Sequence, residues 1–361
     1  MQQRRRFLLK TAQLSAALLG GSVLKLHAGE AADARANVKS TPDVVIYEGT
    51  YPGWPWVSAG EDGTLYCVFR EGVRHGFSAE GKIMLCVSRA AGKSWSAARV
   101  LIDEPGVDDR NVAITALKNG KLLLVYNTYT EEKKSQTLGS FSSDGGKTWS
   151  KPTTIGPAET RTRAAAVELS DGSILLPFYK APGNGSLAAR STDAGTTWQT
   201  VEIPNREKFT GDEWDVLEVE AGRLIGILRN NFPEWKGYFW VTESGDFGET
   251  WSVPLRTNLL SKRYPSPAEI TLQNGKPTVI YPDRRMVSVA AATTSDPKFV
   301  TWNIEGQLPC YQYEADGTAI PDGSYLSSVS VSKNRRLLVD YEVREDSHRI
   351  TGYFVDFPSD W

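Results

Sequence analysis

Past residue 40 the apolar positions never settle into a helical period. They fall in short runs, and the runs come in pairs around a small polar turn. The turns are Glu61-Asp62-Gly63, Lys118-Asn119-Gly120, Ser170-Asp171-Gly172, Glu220-Ala221-Gly222, Gln273-Asn274-Gly275 and Lys333-Asn334-Arg335. Each leads into an apolar strand: residues 64–70, 121–127, 173–179, 223–229, 276–282 and 336–342. Asp-Gly and Asn-Gly between apolar runs favour tight turns whose twist matches that of a hairpin. Six hairpins predict six antiparallel units.

A second repeat keeps step with the first. Ser142-Ser143-Asp144-Gly145-Gly146-Lys147-Thr148-Trp149 has the form Ser-x-Asp-x-Gly-x-Thr-Trp, and residues 191–198 and 244–251 repeat it. Residues 88–95 are a worn copy with Ala90 where Asp belongs; residues 294–302 are one residue longer and lack the glycine. The tryptophans Trp95, Trp149, Trp198, Trp251 and Trp302 lie 54, 49, 53 and 51 residues apart. A period near fifty is that of a propeller blade. The expected fold is all-β, a six-bladed β-propeller over residues 41–361. Asp bonds nearby N–H groups and Gly allows positive φ, so the motif reads as a structural turn. Its tryptophan then packs between blades. The sixth unit has no copy, and residues 43–47 and 350–357 are the candidate strands that close the ring from the two ends of the chain.

Composition narrows the class. A chain of 361 residues with 10% aromatics is ample for one large β domain. Its net charge of −2 gives no electrostatic case for nucleic acid. Cys67, Cys86 and Cys310 have no metal-ligand spacing and read as small core residues. In an oxidising compartment Cys67 and Cys86 are candidates for a disulfide. Arg4-Arg5-Arg6-Phe7-Leu8-Leu9-Lys10, followed by an apolar run over 14–24, resembles a twin-arginine export signal. The run is short for a spanning helix. Residues 1–34 are therefore expected to be a leader, and the mature protein a periplasmic or extracellular monomer outside the membrane.

The hairpin register also predicts a mouth. The start of each innermost strand and the end of the next meet at one rim. Counting from the turns puts Trp54, Arg70 and the loop Arg74-His75 there from blade one, and Arg110 and Asn127 from blade two. Blade three gives Arg161, Arg163 and Tyr179; blade four gives Glu213, Asp215 and Arg229. Blade five gives Tyr264 and Asp283-Arg284-Arg285, and blade six Tyr325 and Glu342. Arginine forks pair with two oxygens at once, so this mouth favours an anionic group.

The repeated turn resembles the Asp-box of sialidases, and the resemblance to the sialidase superfamily spans essentially the whole chain after the leader. Gly323-Ser324-Tyr325-Leu326-Ser327-Ser328 is similar to the segment that carries that family's tyrosine nucleophile. Residues 213–219 are similar to the one that carries its glutamate partner. The resemblance implies Tyr325 as nucleophile, Glu213 as its base and Arg229 as a carboxylate-binding arginine, with Arg284 or Arg285 as another. A neutral phenol is a weak nucleophile until a carboxylate takes its proton. Two places depart from the family. Gly53-Trp54-Pro55 stands where its first arginine belongs, and the loop over 70–80 has no aspartate for the acid. His75 or Glu80 takes that role by default, His75 because imidazole exchanges protons near neutral pH.

Three functions remain open. The first is an exported exo-glycoside hydrolase of sialidase type acting on a terminal acidic sugar of a glycan or polysaccharide. Tyr325, Glu213 and His75 would be catalytic, with Arg229, Arg285, Arg110, Arg70 and Trp54 binding the sugar. The second is a polysaccharide lyase using His and Tyr. The third is a non-catalytic carbohydrate-binding propeller. None requires a metal or cofactor.

Overall fold

The computed structural model describes residues 38–361 apart from 236, 262–265, 284–287, 313–321 and 346. The expected leader over 1–34, and Arg284, Arg285 and Tyr264, lie outside the described residues. Residues 39–361 form one compact unit. It consists of six antiparallel sheets, the six blades of a propeller. Blade one is Gly53–Ala59, Leu65–Glu71, Lys82–Ser88 and Arg99–Ile102. Blade two is Asp108–Ala116, Leu122–Tyr129, Ser135–Ser142 and Thr153–Thr154. Blade three splits its inner strand into Thr160–Thr162 and Val167–Glu168, followed by Ile174–Lys180, Ser186–Ser191 and Gln199–Glu202. Blade four is Gly211–Glu220, Arg223–Asn230, Tyr238–Ser244 and Leu255–Leu260; blade five is Glu269–Gln273, Lys276–Asp283, Ser288–Thr293 and Leu308–Gln312.

Blade six is built from both ends of the chain. Ser327–Ser332, with Asp322–Gly323, pairs with Arg335–Val343, which pairs with His348–Asp356. Val44–Glu48 is the outermost strand, with Val44 opposite Gly352 and Glu48 opposite Arg349. The Asp43 carboxylate locks it by accepting from Phe354 N at 2.7 Å. The expected closing strands are found within two residues of their predicted ends. All six predicted turns join the inner strand of a blade to the next strand, and Gly120, at φ 78°, takes a left-handed position that glycine fills without strain.

The boxes link the third strand of a blade to its fourth, away from the inner strands. In the intact copy at 142–149, Asp144 accepts from Thr148 N at 2.9 Å and from Thr148 Oγ1 at 2.6 Å. Ser142 Oγ accepts from Gly146 N at 2.8 Å, and Trp149 Nε1 donates to Gly146 O at 3.1 Å. Asp193 makes the same set, and these donors hold its carboxyl down to about 2. In the longer copy Phe299, at φ 54°, does the glycine's work, and Trp302 Nε1 donates to its carbonyl at 2.8 Å.

The core lies in the six seams between blades, one apolar cluster to each. Trp214 shows how a seam is fastened. It is 1% exposed, stands edge-on to Trp251 at 5.2 Å, and its Nε1 donates to Phe178 O and Leu187 O of blade three. Cys67 and Cys86 face each other across paired strands as free buried thiols.

Candidate active site

Irregular pairing at the starts of the inner strands aims the rim side chains. In blade four the register shifts between Gly211 and Trp214, a bulge that lets consecutive residues turn to one target. Asp212 and Glu213 both reach Arg229. Arg229 Nε donates to Asp212 Oδ2 at 2.9 Å, and its Nη2 bonds the same oxygen. Its Nη1 lies 2.6 Å from Glu213 Oε2. Asp215 turns away instead, accepting from Val216 N and Ile270 N. Blades one and two carry similar shifts, with Trp54 and Asn111 both at φ 52°, where bulky residues seldom sit.

Tyr325 closes the first cluster. Its hydroxyl donates to Glu213 Oε2 at 3.2 Å and accepts from Arg229 Nη1 at 3.0 Å. Tyr179 Oη approaches the other Glu213 oxygen at 3.5 Å. Burial raises the Tyr325 phenol above its ordinary range, and the Glu213 charge adds to this; Arg229 opposes both. Burial also raises the Glu213 carboxyl, against Arg229. The phenol is therefore neutral at rest, with Glu213 within hydrogen-bond reach of its proton. Arg163, 6% exposed, lies 5.4 Å over the Tyr325 ring.

The second cluster spans blades one and six. His75 Nδ1 is 2.6 Å from Asp322 Oδ2, which also accepts from Tyr51 Oη at 2.5 Å. Tyr341 Oη donates to Asp322 Oδ1 at 2.8 Å. Burial would raise the Asp322 carboxyl, but His75, Tyr51 and Tyr341 together hold it below its ordinary value. His75 is more than half exposed, so its second ring nitrogen is open to a ligand. Trp54 stands edge-on to His75 at 5.1 Å, and Tyr341 joins the clusters, 6.3 Å from Tyr325 and 6.1 Å from Trp54.

Other expected site residues take different places. Arg70 has no exposed surface. Its fork grips Asp108 at 2.6 and 3.0 Å and the Arg74 carbonyl at 2.9 Å, so it secures the His75 loop rather than meeting a sugar. Trp54 is 5% exposed, with Arg110 4.5 Å over its ring, and offers no open face for stacking. Glu80 accepts from Ser78 Oγ at 3.0 Å. Glu342 is buried among Arg344, Arg349 and Tyr353. Asp212, Asp322, Tyr51 and Tyr341 escaped the counting, which took only one or two residues from each strand start or end. The signal for Asp322 was its place three residues before Tyr325. No group of three or more metal-ligating side chains occurs among the described residues.

Asp109, fully buried beside Asp108, gives a test of this wall. Its Oδ2 accepts from Glu104 N at 2.8 Å, and its Oδ1 has no partner. Burial raises its carboxyl, the Glu104 N–H opposes this, and neighbouring acids add, leaving it at about 7. The unfolded value is about 3.9, so between the two the folded chain holds a proton the unfolded chain has lost. Stability therefore falls as pH rises through that window. Asp109→Asn should nearly match the parent in folding free energy at pH 4 and exceed it at pH 8, by on the order of 4 kcal/mol. Equal losses at both pH values would refute this account.

Residues 63–312 match the family model of the BNR repeat-like domain. No curated protein matches the chain. In fold it is similar to a protein of unknown function from Dyadobacter fermentans, at TM-score 0.75 and 19% identity over 89% of this chain and 99% of that one. It is similar also to the NanB sialidase of Streptococcus pneumoniae, at TM-score 0.68 and 13% identity over 89% and 71%. The intramolecular trans-sialidase of Ruminococcus gnavus gives 0.66 and 12% over 90% and 97%. At such identities the likeness is one of fold. With the repeated boxes, the six blades and the matched family model together, the chain belongs to the BNR repeat-like family and has the six-bladed fold that sialidases share.

Proposed function

We propose that the protein is a glycoside hydrolase of sialidase type that releases a terminal acidic sugar from a glycan. The observation that carries this is the Tyr325 hydroxyl, held between Glu213 at 3.2 Å and Arg229 at 3.0 Å. Tyr325 Oη attacks the anomeric carbon while its proton passes to Glu213, and Arg229 steadies the developing negative charge. His75, oriented by Asp322, gives a proton to the departing glycosidic oxygen from its open nitrogen. In the second half, His75 takes a proton from water as that water attacks the anomeric carbon. The tyrosyl bond breaks and the phenolate recovers its proton from Glu213. Two displacements retain the configuration.

The reading is tested by incubating the protein with sialosides and uronate-containing polysaccharides, following reducing ends and ultraviolet absorbance. New reducing ends without absorbance support the hydrolase. Rising absorbance marks an unsaturated product and a lyase. Sugar bound without either product marks a binding propeller.

A further inference from the structure

The arginines of the mouth are not equivalent. Arg229, the residue expected to clamp a substrate carboxylate, is already offset by Asp212 and Glu213. Arg70 is buried on Asp108. The seam between blades two and three is different. Arg110 lies 5.5 Å and Arg161 4.5 Å from the ring centre of Tyr129, so one tyrosine carries two guanidinium groups. Arg110 shares Asp108 at 3.3 Å with Arg70, which holds it more closely, and donates also to Asn111 Oδ1 at 3.1 Å and to the His75 carbonyl at 3.3 Å. Arg161 has no ion pair among the described residues, and its buried Nε has no hydrogen-bond partner. Arg163, two residues on, also has an unpartnered Nε, and its 6% exposure makes that costly. The Asn111 amide ties this wall together by donating to Thr162 O at 2.9 Å.

Like charges gathered here repel: burial lowers the Arg110 pKa, Asp108 opposes this, and Arg70 and Arg161 add to it. The buried Arg161 Nε finds no acceptor among the described residues, and an anion would relieve the crowded charge. We infer that Arg161 and Arg110, stacked on Tyr129, bind the anionic group of the sugar, a carboxylate or a sulfate ester. This rests on the reading of the mouth as a glycan site. Aromatic rings hold both guanidinium groups in place, Arg161 on Tyr129 and Arg110 between Tyr129 and Trp54, and such forks suit bidentate contact with that group. Arg163 bridges from this wall to the Tyr325 ring, so the anion would sit beside the nucleophile.

The test is equilibrium binding by calorimetry, in the Tyr325→Phe background so that nothing turns over. The probes are glucuronate, N-acetylneuraminate, galactose 6-sulfate and neutral galactose. At least one acid should bind about tenfold or more above galactose, and Arg161→Gln should weaken that acid about 10- to 100-fold while leaving galactose unchanged. Arg161→Lys, which keeps charge and loses the fork, should fall between. Carboxylates preferred over sulfate, or the reverse, names the class. Acid preference that survives Arg161→Gln, no binding of any acid, or equal binding of acids and galactose overturns the inference. Arg161-dependent binding in a protein that yields no product leaves the inference standing and removes the hydrolase. Product formed with an acid preference indifferent to Arg161 does the reverse.

Discussion

Tyr325→Phe should lower the turnover of a cleaved glycan by at least about a thousandfold, with the melting temperature within a few degrees of the parent. The ring keeps its place beside Tyr341 and under Arg163. Only the oxygen between Glu213 and Arg229 is lost, and those two remain 2.6 Å apart as an ion pair. The fold therefore has little reason to change, while the atom that would bond to the anomeric carbon is gone. Glu213→Gln should cost about a hundredfold, since the amide cannot take the phenol's proton. Initial rates with reducing-end detection read both effects. A Tyr325→Phe variant with a tenth or more of the parental rate would exclude the phenol as nucleophile.

Asp322→Asn is the second large effect, expected at about 10- to 100-fold in kcat with KM little changed. Asp322 is surrounded by donors: His75 and Tyr51 on one oxygen, Tyr341 on the other. An amide offers only one accepting oxygen, so one donor must turn away. It also removes the negative charge that supports a protonated imidazole in the transition state. Substrates whose leaving group needs no proton should therefore escape most of the loss. Tyr51→Phe removes one donor, keeps the charge, and should cost less. Rates of both variants on a glycan and on an aryl glycoside with a good leaving group settle the point; equal losses on the two in Asp322→Asn would show that Asp322 only holds the loop.

The blades were legible because their signals are local. Asn119-Gly120 or Asp171-Gly172 makes its turn from its own chemistry, and each box closes on its own aspartate. The ring closure was legible too, from leftover strands at both ends. The mouth was legible only in outline. Tyr325, Glu213 and Arg229 do converge, but the period treats all arginines at one phase alike. What separates Arg229 from Arg161 is the bulge after Gly211, which delivers Asp212 to one and nothing comparable to the other. A register shift of that kind leaves no single-residue mark. Trp54 shows the same limit. Its phase placed it at the rim, while its positive φ and the guanidinium above it bury the ring.

The closing blade also sets a timetable for biosynthesis. Asp43 and Phe354, which bond each other, are 311 residues apart in the chain. At about 5–20 residues per second, the first strand leaves the ribosome roughly 15–60 s before its partner exists. Through that interval Val44–Glu48 has an unpaired hydrogen-bonding edge, the kind of edge that recruits strands from other molecules. Five blades can assemble while the chain is still growing, but the ring is completed only after the last residues emerge. Slow or interrupted synthesis should then yield open rings prone to aggregate, whatever the stability of the finished protein.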